Sequence, residues 1–226
     1  MAWSDWIRDG VEVVPSIYAA DFMRLGAQLD ALLGAGTKVF HFDVGDGHFI
    51  PPVTIGPVVL RSIAPAIHAA GGIIDCHLMV DEPAHHFEEI AASGGDSVTF
   101  HVEATDDPAG VAAAARTHGL GVGVAFNPET SPEAAAAFAG AAGADIVLCM
   151  SIHPGYSGQA FMPGALPRIA RLRELVTVPI QVDGGIDASN VHGVRGAGAA
   201  LFVAGAAVFA DADPPAAYGR IRAACR

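Results

Sequence analysis

Short apolar runs rich in Val, Ile, Leu and Phe recur along the chain, each followed by an alanine-rich helical stretch, which is the signature of repeated βα units. Eight runs predict strands at 11–16, 39–43, 73–79, 97–101, 121–126, 146–151, 180–183 and 201–204. Several are almost continuously apolar, as parallel strands covered by helices should be. Helices are expected near 22–33, 56–64, 84–92, 109–117, 132–138, 166–176, 189–195 and 214–223. Ser131 followed by Pro132 suits a helix N-cap with proline in the first turn, and Asp187 or Ser189 can cap the seventh helix. Eight such units in 226 residues favour a closed α/β barrel, the (β/α)8 or TIM-barrel architecture, over an open sheet. No linker or charge block divides the chain, so one domain over residues 1–226 is expected.

Composition excludes several alternatives. The chain is 52% hydrophobic with a mean hydropathy of +0.41. Its longest uninterrupted apolar stretch, 196–210, nevertheless falls short of the roughly 20 apolar residues that cross a bilayer. The N-terminus lacks the apolar run of a secretory signal, so a cytoplasmic location and no membrane partner are expected. A net charge of −12 without a Lys/Arg cluster argues against nucleic acid. It also means that an anionic substrate needs donors placed locally. The three cysteines, Cys76, Cys149 and Cys225, lack metal-finger spacing and read as reduced packing residues.

Chemistry in such a barrel sits just past the strand C-termini. There the polar residues collect. His41 and Asp43 are two apart on a strand and face the same side; His77 lies near the end of the third strand; Asp183 ends the seventh. A lone His or Asp at a strand end is ordinarily a cap or rim residue, but four converging after three strands read as a metal site. Nitrogen and carboxylate donors suit one divalent ion, with zinc foremost and iron(II), manganese and cobalt as alternatives. A metal beside two carboxylates lowers the cost of removing a proton next to a carbonyl. If one aspartate sits on each face of a planar enediolate, removal from one side and return from the other yields the epimer. Glycines follow strands six, seven and eight: Gly155-Tyr156-Ser157-Gly158, Gly184-Gly185 and Gly205-Ala206. Grouped at one end of the barrel, they let backbone amides approach a phosphate.

Several segments stand in the order of one known family. They are Pro15-Ser16-Ile17 with Ala20-Asp21-Phe22, His41-x-Asp43-x-x-Asp46-Gly47-His48-Phe49, Thr54-Ile55-Gly56-Pro57, His77-Leu78-Met79, Met150-Ser151 with Pro154-Gly155, and Val182-Asp183-Gly184-Gly185. Over nearly its whole length the chain resembles the ribulose-phosphate 3-epimerases. The resemblance implies His41, Asp43, His77 and Asp183 as metal ligands and Asp43 and Asp183 as the acid/base pair. It implies Ser16 and His77 as substrate contacts, with Met79 and Met150 over the reacting carbons. Gly155, Tyr156, Ser157, Gly158, Gly184, Gly185, Gly205 and Ala206 would hold the phosphate. The implied reaction interconverts ribulose 5-phosphate and xylulose 5-phosphate in a homo-oligomer, a dimer or hexamer.

Departures from the family pattern bear on the substrate. Gly45 stands where methionine is usual, which should leave the pocket larger or wetter; Ala206 replaces serine, Ser157 replaces glycine, His153 replaces asparagine and Pro52 replaces asparagine. A different ketose phosphate, such as allulose 6-phosphate, is therefore the alternative substrate, and a non-catalytic sugar-phosphate-binding paralogue the alternative role. Related barrels that decarboxylate need a lysine near paired aspartates, and triose isomerisation needs a lysine at the phosphate. The one lysine, Lys38, begins the second strand, far from the mouth.

Overall fold

A computed structural model describes residues 3–225. Eight parallel strands, β1 (Glu12–Pro15), β2 (Val39–Gly45), β3 (Ile73–Met79), β4 (Ser97–His101), β5 (Gly121–Phe126), β6 (Ile146–Met150), β7 (Ile180–Asp183) and β8 (Leu201–Ala204), pair in the order β1-β8-β7-β6-β5-β4-β3-β2. A parallel bridge between Ser16 and His41 joins β1 to β2 and closes the ring. The fold is a (β/α)8 barrel. Around it lie α1 (Leu25–Gly34), α2 (Pro57–Ala69), α3 (Phe87–Ala92), α4 (Pro108–Thr117), α5 (Pro132–Ala142), α6 (Ala165–Leu175), α7 (Val191–Gly196), α8 (Ala206–Phe209) and α9 (Pro214–Ala224).

Period-two alternation sorts each strand into two environments. On β2, Phe40, Phe42 and Val44 face the helices in the main core; on β3, Ile74, Cys76 and Leu78 do the same. Residues between them point into the barrel. Its floor is mostly apolar: Val14, Val39, Ile73, Ile146 and Leu201 pack together with the indole of Trp3, with Trp6 and Ile7 against them, and the buried Gln181 lies in register with Leu201. Cys76, Cys149 and Cys225 are buried free thiols, as expected. No helix among the described residues is long and apolar enough to cross a membrane.

Ser131 caps α5 as expected, accepting the Ala134 N–H at 3.2 Å with Pro132 in the first turn. The seventh helix differs. It begins at Val191, and Asp187 instead accepts the N–H groups of Ser189 and Asn190, organising the preceding turn rather than capping the helix. The short α8, directly after β8, is too brief to show helical periodicity and is missing from the expected elements.

Candidate metal centre and active-site cleft

Strands β2 and β3 pair in register, with His41 beside Asp75 and Asp43 beside His77, so four inward-facing polar side chains form one patch. Asp183 arrives from β7, across the intervening β8 and β1. The His41 Nε2 atom lies 3.2 Å from Asp43 Oδ1, 3.3 Å from His77 Nδ1 and 3.8 Å from Asp183 Oδ2. His77 Nδ1 lies 3.2 Å from Asp43 Oδ1 and 3.7 Å from Asp183 Oδ2. Tetrahedral donors on bonds of ~2.0–2.1 Å stand about 3.3 Å apart, so this spacing and this donor chemistry fit one divalent ion. Each of the four offers a single ligand atom, all within 4.8 Å of one another.

Charge at the cluster is divided unevenly. Burial works against a charged His41, but the carboxylates of Asp43, Asp75 and Asp183 outweigh it and raise its pKa well above 6.5. Burial likewise opposes the Asp43 anion, yet His41 and His77 hold that carboxyl far below the usual carboxylate range. Asp183 moves the other way. Burial, and then the neighbouring charge of Asp43, push it up to about 7, with His41 offsetting only part. Near neutral pH the cluster thus carries exchangeable protons on His41 and Asp183, the positive charge that a divalent cation would replace.

Other groups fix the cluster in place. Ser16 donates from Oγ to Asp43 Oδ2 at 2.6 Å, turning that second oxygen toward the cleft. Thr54 donates to the Asp43 carbonyl at 2.7 Å and accepts the Gly45 N–H at 2.6 Å, pinning the end of β2. Asp75 accepts from Ser97 at 2.6 Å and Thr99 at 3.1 Å. Its other oxygen, 3.6 Å from His41 Nδ1, is at ion-pair rather than hydrogen-bond distance. On the far side, His77 Nε2 meets His101 Nε2 at 2.8 Å, and His101 Nδ1 meets Glu103 at 3.1 Å.

Above the cluster opens a cleft of about 430 Å³. Ser16, Asp43, Met79, Met150, Asp183, Gly184, Gly185, Gly205 and Ala206 line it, as does the 155–158 loop. Gly184 (φ +124°) and Gly185 (φ +64°) turn the chain after β7 against the loop following β6. A Cβ on Gly184 would lie 2.5 Å from Ile152 Cγ1, and one on Gly185 would lie 2.3 Å from the Phe161 nitrogen. Both positions therefore require glycine.

The expected opening at Gly45 is absent. A Cβ there would fall 2.5 Å from Ile50 Cδ1 and 3.1 Å from the Pro52 carbonyl, so Ile50 occupies the room a larger residue would take. Ile50 is buried and also packs toward Gly155. Across the cleft, Ser157 Oγ comes within 3.2 Å of where a Gly205 Cβ would be, bringing a hydroxyl beside the strand-eight turn that ends in Ala206.

Comparison with known proteins agrees with this architecture. Residues 12–209 match the model of the ribulose-phosphate 3 epimerase family. The chain belongs to that family. Among its relatives, the ribulose-phosphate 3-epimerase of Mycobacterium leprae is 41% identical over 223 residues, covering 94% of both chains, and that of Eremothecium gossypii is 37% identical, covering 89% of this chain and 87% of the other. A chain of Mycobacterium tuberculosis tryptophan synthase superposes with a TM-score of 0.73 at 17% identity over 98% of this chain and 96% of its own, a likeness of fold alone.

Within this epimerase-family barrel, the four expected ligands come together at one point and every expected substrate-contacting residue except His77 lines the cleft. His77 lies in the cleft floor, fully buried. The sequence alone assigns no role to Asp75, Ser151 or Glu103, and leaves His101 between a supporting place behind the site and simple packing. Ser151 Oγ lies 2.8 Å and 2.7 Å from the carbonyls of Asp183 and Gly184 and so holds the end of β7. A signal for His101 and Glu103 is present: Ser97, Thr99, His101 and Glu103 alternate at period two along β4 and just beyond it, a polar face where an apolar one would pack best.

Proposed function

We propose that this family member is a metal-dependent isomerase that inverts C3 of a ketose phosphate, interconverting D-ribulose 5-phosphate and D-xylulose 5-phosphate. The observation that carries this reading is the meeting of Asp43 and Asp183, from strands not adjacent in the ring, at the floor of one cleft. One carboxylate removes the C3 proton and the other delivers a proton to the opposite face. Without the ion the two carboxyl groups are already unlike, Asp43 ionised and Asp183 holding a proton up to about pH 7, so the site treats its two bases differently. His41, Asp43, His77 and Asp183 hold the ion, with zinc the leading candidate. When bound, it supplies positive charge beside the enediolate oxygens.

Ser16 orients Asp43 and faces the substrate, while Met79 and Met150 line the cleft as apolar cover. The phosphate sits among the glycine turns after β6, β7 and β8, where barrels of this kind commonly bind it. There Ser157 supplies a hydroxyl close to the turn where Ala206 has none. Because Ile50 fills the space beside Gly45, the cleft gains no extra room for a six-carbon substrate, which favours the pentulose over allulose 6-phosphate. The enzyme acts as a cytoplasmic homo-oligomer of one-domain subunits.

Initial rates of purified protein with ribulose 5-phosphate and with allulose 6-phosphate test the assignment. The pentulose should give a kcat/KM at least ~10-fold higher, a pocket-level discrimination. A preference for the hexulose would replace the substrate while leaving the reaction type intact.

A further inference from the structure

We propose that Glu103, acting through His101, is a positioning residue that fixes which ring nitrogen of His77 faces the metal site. The inference rests on the metal reading above and extends it to residues outside the ligand set. His77 and His101 meet Nε2 to Nε2 at 2.8 Å, with ring planes inclined by 19° and centroids 5.0 Å apart, an end-to-end hydrogen bond between nearly coplanar rings. One proton occupies that bond, so one ring donates and the other accepts.

Glu103 decides the direction. Its Oε1 accepts the Asn127 N–H at 2.9 Å and the Thr130 hydroxyl, leaving Oε2 for His101 Nδ1 at 3.1 Å. A carboxylate only accepts, so His101 carries its proton on Nδ1 and presents a bare Nε2. That bare nitrogen accepts from His77 Nε2–H, which leaves the His77 Nδ1 lone pair facing the donor cluster. His101 is buried, and the Phe49 ring lies 4.8 Å from it, centroid to centroid. Orienting partners of this kind commonly govern the affinity of a metal-binding histidine.

The arrangement makes an unusual prediction for Glu103→Gln. The Asn127 N–H is a donor only and requires an oxygen at Oε1, and the Thr130 hydroxyl already donates there, so the new amide nitrogen falls opposite His101 Nδ1. His101 must then accept there and carry its proton on Nε2. His77 in turn must accept at Nε2 and carry its proton on Nδ1, blocking the ligand atom. Glu103→Ala imposes no such reversal, because water can enter and take either role.

Zinc affinity, measured by competition with a chromophoric chelator, should fall ~10–100-fold in Glu103→Gln and less in Glu103→Ala. Ring 15N spectra of the zinc-loaded wild-type protein should place the His101 proton on Nδ1. Zinc binding by Glu103→Gln as tight as wild type, an equal loss in both variants, or a wild-type His101 protonated on Nε2 would each overturn the relay. The spectrum of the wild type needs no variant, so a misfolded mutant does not shelter the proposal. A wild-type chain that binds no zinc overturns the metal reading as well, whereas a zinc-tight Glu103→Gln overturns the relay alone.

Discussion

Val39 and Ile73 pack into the mostly apolar floor of the barrel, while His41 and Asp75, two residues further along the same paired strands, begin a polar layer that ends at Asp43 and His77. The backbone environment of the two layers is the same: parallel strands with every second side chain directed inward. What differs is the purpose of burial. Below, aliphatic side chains and the Trp3 indole exclude water and stabilise the ring. Above, buried His and Asp side chains are costly unless paired, and they pair with one another, with His101 and with the surrounding hydroxyls. The upper layer gives up stability to hold charge in place; the lower layer offsets that cost.

Substitutions that separate the two layers test this division. The largest effect on turnover is expected from Asp183→Asn, which should lower kcat by at least ~10³-fold while leaving the circular dichroism spectrum unchanged. Stripping metal with a chelator should likewise remove activity, and adding zinc, iron(II), manganese or cobalt back should show which ions restore it. At the floor, Leu201→Ala should cost ~2–5 kcal/mol of unfolding free energy by denaturant titration yet leave the KM for substrate unchanged. A floor mutation that altered KM would show that the layers are coupled rather than separate.

A smaller effect concerns pH. Asp183 has a pKa of about 7 in the folded chain against an ordinary value of 3.8, so the metal-free fold binds this proton more tightly than the unfolded chain does. Its contribution to stability is complete below about pH 4 and is withdrawn as pH rises through about 7. In chelator-treated protein, the melting temperature of the wild type should therefore fall relative to Asp183→Asn between pH 5 and pH 8. The smallest effect is reserved for the rim. Ser157→Ala should raise KM about five-fold with kcat preserved, the loss of one hydrogen bond of ~1 kcal/mol.

The two layers were not equally legible in the sequence. Strands such as 73–79 and 121–126 could be placed to the residue because apolar runs ended at clear turn residues, and His41, Asp43, His77 and Asp183 stood out as polar residues at strand ends. The filling of the space beside Gly45 could not be read, since Ile50 reaches it only through the path of the loop after β2. Nor could the 77–101–103 chain. It depends on adjacent strands aligning in register, and His101 alone looks no different from any buried histidine. Asp75 was hidden by its neighbours: beside Cys76 and His77, one inward-facing carboxylate reads as part of a strand rather than as the partner of His41.

In the proposed reaction Asp43 and Asp183 transfer protons at opposite faces of C3. Conversion of ribulose 5-phosphate in deuterated water, followed by NMR, tests it most directly. The expected product is xylulose 5-phosphate carrying solvent deuterium at C3, because the carboxylate that delivers the proton exchanges with solvent and is not the one that removed it. Conversion with the original hydrogen retained at C3, or no conversion by the metal-loaded protein, would contradict it.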